Sequence, residues 1–437
     1  MRDFMKSSAQ NAVLFSLFTS AFLTACSPPV NEDGIARRTV QEINQAFRDT
    51  ANTELALSPE TATRLGMEED GLGFPFDNKL DDRSQARFER TRLLRLELLS
   101  RLSRLPDIPE DSKLARHLEI ARTEYARLTT LEAYGYGRYE PGTARPYAVD
   151  QLSGAWVDVP ELLLSSQPLA THADAEAYLD RLAALPGSLE DERRRLASDA
   201  ANGITPPGFV LEMLEARLRE FAAQPVDAHP LLQTFGNVVA TLPAQENRSA
   251  NAYRAAAARI LIREITPAYT EFADEIAALR QDVSQSPGVW RLPDGDAYYR
   301  DVLAYYTGAE PDPDFLYREG LSAVEAATAE LDAALAEIGL EGGSVAERLQ
   351  LISQSPDQVH EATPEGRAAV LARLEERLTR AEVALPDMLK LPPDAPLVIT
   401  RMPAFREAAF AGASYVPATA NGSSPGLVQV NLSDMTA

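Results

Sequence analysis

The segment SQARFERTRLLRLELLSRLSRLP, residues 84–106, carries the pattern that decides the fold. Its leucines recur at spacings close to the helical period, at Leu93, Leu94, Leu96, Leu98 and Leu102. Asp82 or Ser84 offers a side-chain oxygen to cap the first turn, and Pro106 stops the helix after Leu105. The segment therefore predicts a long amphipathic helix whose apolar side needs other helices to cover it.

The same pattern recurs on both sides of this helix. It predicts further helices over 34–52, 111–133, 245–283 and 317–340, and helices that begin at Pro59, with Ser58 as cap, and at Thr363. Residues 171–224 are predicted to form three helices, with a turn at Leu185-Pro186-Gly187. The helix over 245–283 is predicted to kink at Pro267. In the segment 317–340 five apolar residues share one face, namely Leu321, Val324, Leu331, Leu335 and Ile338. The predicted fold class is mainly α, a large helical body.

A small β element is predicted near the C-terminus. Residues 396–432 contain the strand-like runs PLVIT, ASYVPAT and GLVQVNL. The pair Asn421-Gly422, between apolar and β-branched residues, is a strong signal for a β-hairpin. We therefore expect a hairpin attached to the helical body.

Size and charge limit the classes of partner. The chain has 437 residues, 45% of them hydrophobic, which is enough to bury one large core or two moderate ones. Its 65 Asp and Glu outnumber its 42 Lys and Arg, giving a net charge of -23. This excess of acidic residues argues against nucleic acid or anionic lipid head groups as partners.

The N-terminus predicts a lipid anchor. Residues 1–25 carry the charges of Arg2 and Lys6 before an apolar run that is too short to span a membrane, as in a secretory signal peptide. The segment LTAC, which ends at Cys26, resembles a bacterial lipobox, in which the cysteine is acylated and becomes the first mature residue. Residues 26–33 would form a tether. Because Ser27 rather than Asp follows the cysteine, the pattern resembles that of lipoproteins of the outer membrane facing the periplasm.

Two alternatives remain open at this stage for the N-terminus and for the aromatic residues. An ordinary signal peptide with a chance cysteine would leave the chain unanchored. Since Cys26 is the only cysteine, cysteine catalysis, a cysteine zinc site and internal disulfides are excluded from the mature domain.

An irregular stretch after residue 133 is rich in aromatic residues, namely Tyr134, Tyr136, Tyr139, Tyr147 and Trp156. These side chains either fill a core or line a cleft.

The sequence supplies no complete catalytic motif. His360 and Glu361 begin a near miss to the zinc motif H-E-x-x-H, but Pro364 stands where the second histidine is needed. The other histidines, His117, His172 and His229, have no metal-ligand spacing. No G-x-S-x-G elbow occurs, and Asp294 and Asp296 belong to a Pro-Asp-Gly-Asp turn. We therefore predict no catalytic residue and no metal ligand.

Six segments together resemble a known family. They are ALSPETATRLGM (56–67), RPYAVDQLSGAWVDVPELL (145–163), AEAYLDRLAALP (175–186), GITPPGFVLEMLEARL (203–218), GVWRLPDGDAYYRDVLAYYT (288–307) and SYVPATANGSSPGLVQVNLSD (414–434). Their order is typical of the bacterial domain-of-unknown-function family 885, and the resemblance covers nearly all of a single domain over 34–437.

That resemblance implies a relation to helical zinc metallopeptidases of the gluzincin type. In such relatives an H-E-x-x-P-G-H-H helix follows the strand that matches GLVQVNLSD, and zinc is the expected cofactor of full-length members. The present sequence reaches Ala437 before such a helix, so the resemblance implies a domain incomplete at its C-terminus and no cofactor in this chain. It also places Arg401, Tyr415 and Asn431 nearest the cleft, with the hairpin edge offered to an extended peptide.

Two functional hypotheses follow. In the first, the chain is an envelope lipoprotein that resembles the metallopeptidase-like family but is inactive alone, or is a fragment that depends on a separate C-terminal piece. In the second, it is a non-catalytic helical lipoprotein that binds peptides or proteins.

Overall fold

The computed structural model describes residues 37–105, 108, 112–243, 249–355, 360–389, 395–407, 412–419, 422, 424–433 and 435. The predicted signal peptide, Cys26 and the tether lie outside the described residues. The described chain is mainly helical with a few short strands, as predicted. It divides into two compact units, the first ending at Gly308 and the second beginning at Ala309. The single domain over 34–437 stays a prediction.

Unit 1 is a helical body with one small hairpin. Its elements are α1 (Arg37–Leu57), α2 (Pro59–Arg64), α3 (Glu69–Leu72), α4 (Gln85–Ser103), α5 (Lys113–Glu132), β1 (Arg138–Glu140), β2 (Thr143–Arg145), α6 (Ala155–Ser165), α7 (His172–Ala201), α8 (Gly208–Ala222), α9 (Pro230–Val239), α10 (Ala250–Ile260), α11 (Thr266–Arg280) and α12 (Gly295–Thr307).

Helix α4 begins where the sequence predicts it. Ser84 caps the helix by accepting a hydrogen bond from the Arg87 backbone N–H at 3.2 Å. Leu98 and Leu102, one turn apart, are buried in a cluster with residues of α1 and α5, whereas Leu93 and Leu96 are exposed. The helix therefore buries one stripe of its leucines rather than all of them.

Helix α7 corrects the predicted turn at Leu185-Pro186-Gly187. A single helix runs from His172 to Ala201, with Pro186 inside it. The reason lies in its buried face, which continues without a break through Tyr178, Leu182, Leu185, Leu189 and Leu196. Pro186 removes one backbone hydrogen bond, and the burial of this face outweighs that loss.

Another proline marks an irregular turn. A π-helical turn, Leu261–Ile265, separates α10 from α11 directly before Pro267, where the sequence predicts a kink. Proline has no N–H to donate, and its ring crowds the carbonyl four residues earlier. A wider turn relieves that crowding without ending the helix.

Buried ion pairs join α2, α6 and α7. The Arg83 guanidinium contacts the Glu60 carboxylate at 2.7 Å and the Glu192 carboxylate at 3.2 Å. Glu192 also accepts a hydrogen bond of 2.8 Å from the backbone N–H of Ala155, at the start of α6. Burial alone would raise the pKa of Glu60, but Arg83 holds that pKa at about 2. Each charge in this set is compensated, which is the condition for burying it.

The irregular segment after α5 forms a hairpin that the sequence analysis did not predict. Strands β1 and β2 pair antiparallel, with Arg138 opposite Arg145. Gly137, just before β1, has φ +86°, and a Cβ there would lie 2.5 Å from the Arg145 carbonyl oxygen. Only glycine fits this close approach, so this residue fixes the start of the hairpin.

Unit 2 contains three longer helices and a sheet. Its elements are α13 (Pro313–Glu337), α14 (Val345–Ser353), α15 (Pro364–Met388), β3 (Leu397–Arg401), α16 (Ala404–Glu407), β4 (Ala413–Val416) and β5 (Gly426–Val430). Thr363 caps α15 and Pro364 opens it, as predicted, which leaves His360 in the preceding loop.

Helix α13 is more exposed than its pattern predicts. Of the predicted apolar face, Leu335 is buried, but Leu321, Val324, Leu331 and Ile338 are exposed. Periodicity identifies the helix correctly, whereas burial depends on a neighbouring surface, and the described part of unit 2 does not cover this face.

The sheet of unit 2 occupies the predicted β element at 396–432. Its strand order is β3-β5-β4, with β5 antiparallel to β4 and parallel to β3. Strands β4 and β5 form the predicted hairpin, and β3 adds a third strand. Asn421 lies outside the described residues. Gly422 donates its backbone N–H to the Thr419 carbonyl oxygen at 3.0 Å within the connection.

Among the described helices, none combines the length and the apolar composition that crossing a membrane requires.

Candidate functional site

Unit 1 contains an open cleft of about 910 Å³. The residues that line it come from α4, α5, α7, α12 and the segments that follow α5 and α7. They are Gln85, Thr130, Ala133, Tyr134, Gly135, Tyr136, Ser198, Asp199, Asn202, Ile204, Pro293, Asp294 and Asp301. Its size is that of a site for a small molecule or a short peptide.

Two tyrosines from the aromatic segment form one wall. The Tyr134 hydroxyl donates to an Asp301 carboxylate oxygen at 2.7 Å, and the Tyr136 hydroxyl donates to the Pro293 carbonyl oxygen at 3.3 Å. Both rings pack against Tyr298, with centroid distances of 5.2 and 5.5 Å. Burial and the nearby carboxylate of Asp294 raise the pKa of Tyr136 to about 12, so this hydroxyl stays protonated at neutral pH.

These contacts resolve the alternative that the sequence left open for the aromatic residues. Tyr139, Tyr147 and Trp156 are buried and fill the core, Tyr134 lines the cleft, and Tyr136 is both buried in the core and part of the cleft wall. Gly137, with φ +86°, lies between the cleft tyrosines and Tyr139 along the chain. The aromatic segment therefore both fills the core and lines the cleft.

Asp199 is the most buried carboxylate of the cleft. It lies in the last turn of α7 and is 7% exposed. Its backbone carbonyl accepts hydrogen bonds from Asn202 and Ile204, both at 2.9 Å, but its side chain forms neither a hydrogen bond nor an ion pair with any residue that the structure describes. Burial raises the pKa of Asp199 to about 6, although the charge of Arg195 opposes the rise.

Two further carboxylates come from the start of α12. Asp294 precedes the helix in the left-handed region, with φ +53°, and closes the turn that the sequence predicts. Asp301, two turns into the helix, accepts the hydrogen bond from Tyr134. Among the described residues that line the cleft there is no Lys, Arg or His, so its walls are acidic and aromatic.

Sequence reasoning missed Asp199 and Asp301 as site residues. Each sits in an ordinary polar stretch of a helix, and no local pattern distinguishes it from a solvated surface residue. Only the tertiary fold brings these two aspartates, from α7 and α12, to one cleft. The one usable signal was the density of tyrosines in residues 134–147 and 298–306.

The three residues predicted from the resemblance lie in unit 2. The Arg401 guanidinium binds both carboxylate oxygens of Glu407, at 2.8 and 2.7 Å, and the Asn431 side-chain amide donates to the Glu407 carbonyl oxygen at 2.5 Å. Tyr415 lies on strand β4, is exposed, and covers Gly426. The structure thus brings Arg401 and Asn431 together around Glu407 and leaves Tyr415 apart. Their role beside a cleft stays a prediction.

The histidines have separate environments. His172 opens α7, stacks on Tyr253 with a centroid distance of 5.7 Å, and contacts the Pro243 carbonyl oxygen at 2.8 Å through Nε2. His229 caps α9 by accepting the Leu231 backbone N–H at 3.3 Å. His117 lies within α5 and His360 in the loop before α15.

Within the described ranges, no three His, Cys, Asp or Glu side chains are grouped so that they could hold a metal ion. The zinc that the resemblance implies for full-length relatives therefore has no fitting set of ligands among the residues described.

Two solved structures are similar in fold. The structure described as "the putative lipoprotein from Colwellia psychrerythraea" matches with a TM-score of 0.85 and 19% identity, over 91% of this chain and 68% of that one. "A putative lipoprotein of unknown function from Shewanella oneidensis" matches with a TM-score of 0.51 and 14% identity, over 91% of this chain and 65% of that one. At these identities the likeness shows the fold alone.

No curated protein matches the chain. A family model does match, over residues 59–437, and it includes the cleft of unit 1 and the sheet of unit 2. The chain therefore belongs to the family described as bacterial protein of unknown function, DUF885.

Proposed function

We propose that the chain is a lipid-anchored protein of the bacterial envelope that binds short peptides in the cleft of unit 1 without hydrolysing them on its own. The observation that carries this proposal is the cleft itself, about 910 Å³ in volume, with two tyrosines on one wall and aspartates on the others. Clefts of this size with aromatic walls and a few placed polar groups are typical of ligand sites.

The chemistry of the lining suits a peptide. Tyrosine rings supply apolar contact area, and the hydroxyls of Tyr134 and Tyr136, which already donate to Asp301 and Pro293, keep lone pairs that can accept a hydrogen bond. Gln85, Thr130, Ser198 and Asn202 add amide and hydroxyl groups, which match the alternating donors and acceptors of a peptide backbone. A purely apolar ligand would leave these groups without partners.

The envelope location rests on the N-terminus. Cys26 lies in a lipobox-like segment after a signal-like stretch, and the two proteins of similar fold are described as lipoproteins. Diacyl or triacyl modification of this cysteine would anchor the chain stably, since each buried CH₂ contributes about 0.8 kcal/mol. Ser27 after the cysteine favours the outer membrane, facing the periplasm.

Peptide binding is tested with the unlipidated full chain carrying Cys26→Ser. Fluorescein-labelled pentapeptides of acidic, neutral and basic composition are titrated, and binding is measured by fluorescence anisotropy. We expect saturable binding that Ser198→Trp abolishes, because Ser198 is exposed at the cleft and the indole fills it. Ser322→Trp, on the exposed helix α13, serves as the matched control and should bind normally. Absence of binding by every peptide, or equal binding by both variants, contradicts the proposal.

A second candidate is the first hypothesis from the sequence, a metallopeptidase-like body that works with a further C-terminal segment. One observation favours it: apolar residues of α13 are exposed in unit 2, and a further segment would cover them. The genomic sequence after codon 437 tests it, because an H-E-x-x-P-G-H-H string there supports it and the lack of one in every frame counts against it.

A further inference from the structure

We infer that Asp199 anchors a positively charged group of the ligand, a protonated amine or a guanidinium, in the cleft of unit 1. This inference rests on the proposed function and adds the class of ligand. It concerns one carboxylate whose surroundings differ from those of the other buried acids in unit 1.

The Asp199 carboxylate lacks the positively charged partner that other buried carboxylates of unit 1 have. Glu60 and Glu192 are buried against Arg83, and Glu132 is buried against Arg95 at 2.6 Å. Asp199 is also buried, at 7% exposure against 1–3% for those three, yet its carboxylate has no hydrogen bond and no ion pair with a described residue. Burying an uncompensated carboxylate is costly, and proteins rarely keep one without a partner. Because Asp199 lines the cleft, that partner can come from a ligand.

Arg195 is the cation nearest to this carboxylate along the helix, one turn earlier on α7. Its Nη2 donates to the Gly137 carbonyl oxygen at 2.8 Å, and its guanidinium lies 5.0 Å above the Phe88 ring. These contacts hold Arg195 on the core side of the helix, and it does not line the cleft. The charge of Arg195 favours the ionised form of Asp199 from a distance, but the two side chains do not form an ion pair.

The C-terminal end of α7 also favours a bound cation beside Asp199. Asp199 lies in the last turn of a 30-residue helix, where the backbone carbonyls present partial negative charge. That end of a helix disfavours a carboxylate and favours a cation. The position is therefore poor for Asp199 alone and good for Asp199 with a bound cation.

The remaining walls strengthen the preference. Asp294 and Asp301 add negative charge, and no basic side chain lines the cleft among the described residues. Tyr134, the more accessible of the two cleft tyrosines, adds an aromatic ring of the kind that attracts ammonium and guanidinium groups. A peptide can supply such a group from a Lys or Arg side chain or from its free amino terminus.

The experiment separates these sources. Acetylated, amidated Ala-Tyr-Lys-Tyr-Ala is compared by isothermal titration calorimetry at pH 7.5 with the same peptide carrying norleucine for lysine, and with the norleucine peptide lacking the acetyl group. The protein is the full chain with Cys26→Ser. Agmatine serves as a small cationic probe without a peptide backbone.

We expect the lysine peptide to bind at least about tenfold more tightly than the acetylated norleucine peptide, a typical gain for a charge-assisted hydrogen bond. Asp199→Asn should remove that difference, and Asp180→Asn, an exposed position of the same helix, should keep it. If the unacetylated norleucine peptide binds more tightly than the lysine peptide, the group that Asp199 anchors is the free amino terminus rather than the lysine side chain.

Each other outcome is decisive. Equal binding of charged and neutral peptides overturns the inference and leaves peptide binding standing. Binding of agmatine through Asp199 without binding of any peptide supports the cation site and overturns the proposed function. No binding by any probe overturns both. The comparison of peptides on the unmodified Asp199 decides the inference even if Asp199→Asn fails to fold.

Discussion

Arg181 shows how a single side chain can hold several segments together. It is fully buried on α7 and donates to the carbonyl oxygens of Lys79 and Phe76, at 2.8 and 2.9 Å, and to the Thr63 hydroxyl at 2.7 Å. The acceptors belong to α2 and to the loop after α3, which lacks other regular backbone pairing. A guanidinium, with five donors, replaces the hydrogen bonds that water would otherwise supply to this loop.

Replacing Arg181 with methionine should therefore destabilise unit 1 strongly. The change removes three side-chain hydrogen bonds at once, to the Lys79 and Phe76 carbonyl oxygens and to the Thr63 hydroxyl. A buried polar group that loses its partner costs about 1–3 kcal/mol, so we expect a loss of at least about 3 kcal/mol in the free energy of unfolding. Urea denaturation measures it. Arg194→Met, on the exposed side of the same helix, removes only a surface ion pair with Glu190 and should cost less than about 1 kcal/mol. Similar losses for both variants would contradict the role of Arg181.

His229 makes stability depend on pH. Burial lowers the pKa of His229 to about 4, from 6.5 in a model peptide. Its neutral ring caps α9 and packs edge-on against Phe221. Between pH 4 and 6.5 the unfolded chain binds more protons at this residue than the folded chain. Its contribution is complete above pH 6.5 and is lost as the pH falls toward 4. The full contribution is about 3 kcal/mol.

The measurement compares the unmodified chain with His229→Asn, which keeps a good helix cap without a titrating ring. Urea denaturation at pH 7 and pH 4.5 should show a larger acid loss for the unmodified chain. Because both chains share every other titrating group, their difference isolates His229. Equal acid losses would show that His229 titrates with an ordinary pKa.

For single residues, helix caps could be predicted from the sequence, but which distant residues meet at one site could not. Ser84 and Thr363 cap helices as predicted, because a cap depends on residues only two or three positions away. Asp199 and Asp301, about a hundred residues apart in the chain, meet only through tertiary packing. Arg401 and Asn431 meet around Glu407, and Tyr415 lies on strand β4 at the other edge of the sheet from Arg401. The place of these three residues beside a cleft stays a prediction.

Helix α7 is the element where sequence expectation and structure differ most. Proline and glycine in succession indicate a turn, but Pro186 and Gly187 lie inside one helix. The buried face on both sides of them decides the outcome, and a local rule does not weigh that burial. The helix therefore contains two residues of poor helical propensity that substitution can improve.

Gly187→Ala should stabilise unit 1. A Cβ at Gly187 meets nothing within 4 Å, so alanine gains helical propensity without a clash, worth about 1 kcal/mol. Thermal unfolding followed by circular dichroism measures the change. Gly154→Ala provides the contrast, because Gly154 has φ +134° and its Cβ would lie 2.6 Å from Val149. That variant should melt at a lower temperature, and a rise in both would contradict the structural argument.

Helix α13 shows that apolar periodicity identifies a helix without showing whether its apolar face is buried. Its periodic apolar residues predicted a helix correctly and predicted burial incorrectly, because burial requires a second surface. Tyr317, Leu321, Val324, Leu331 and Ile338 are spaced by three, four or seven residues and thus share one side of the helix, and all are exposed. We call these five residues the α13 stripe.

For the whole molecule, the α13 stripe should promote self-association. Contiguous exposed apolar surface favours contact between copies in water. The purified chain with Cys26→Ser should therefore elute larger than its 47.7 kDa in size-exclusion chromatography with light scattering. Val324→Glu combined with Ile338→Glu should shift it toward the monomer, because each charge would have to be desolvated in the contact.

The matched control is Ala326→Glu, which adds a charge on the other side of the same helix. It should leave the association unchanged. A monodisperse monomer of the unmodified chain would show that the α13 stripe does not drive association in water.

The sheet of unit 2 also has a consequence for the order in which the chain can mature. Strand β5 is the centre of the sheet but the last of the three to leave the ribosome, so β3 and β4 have no partner while nascent chain is still emerging. Until β5 is synthesised, the hydrogen-bonding edges of β3 and β4 stay unpaired, so these two strands are open to pairing with other chains during that interval.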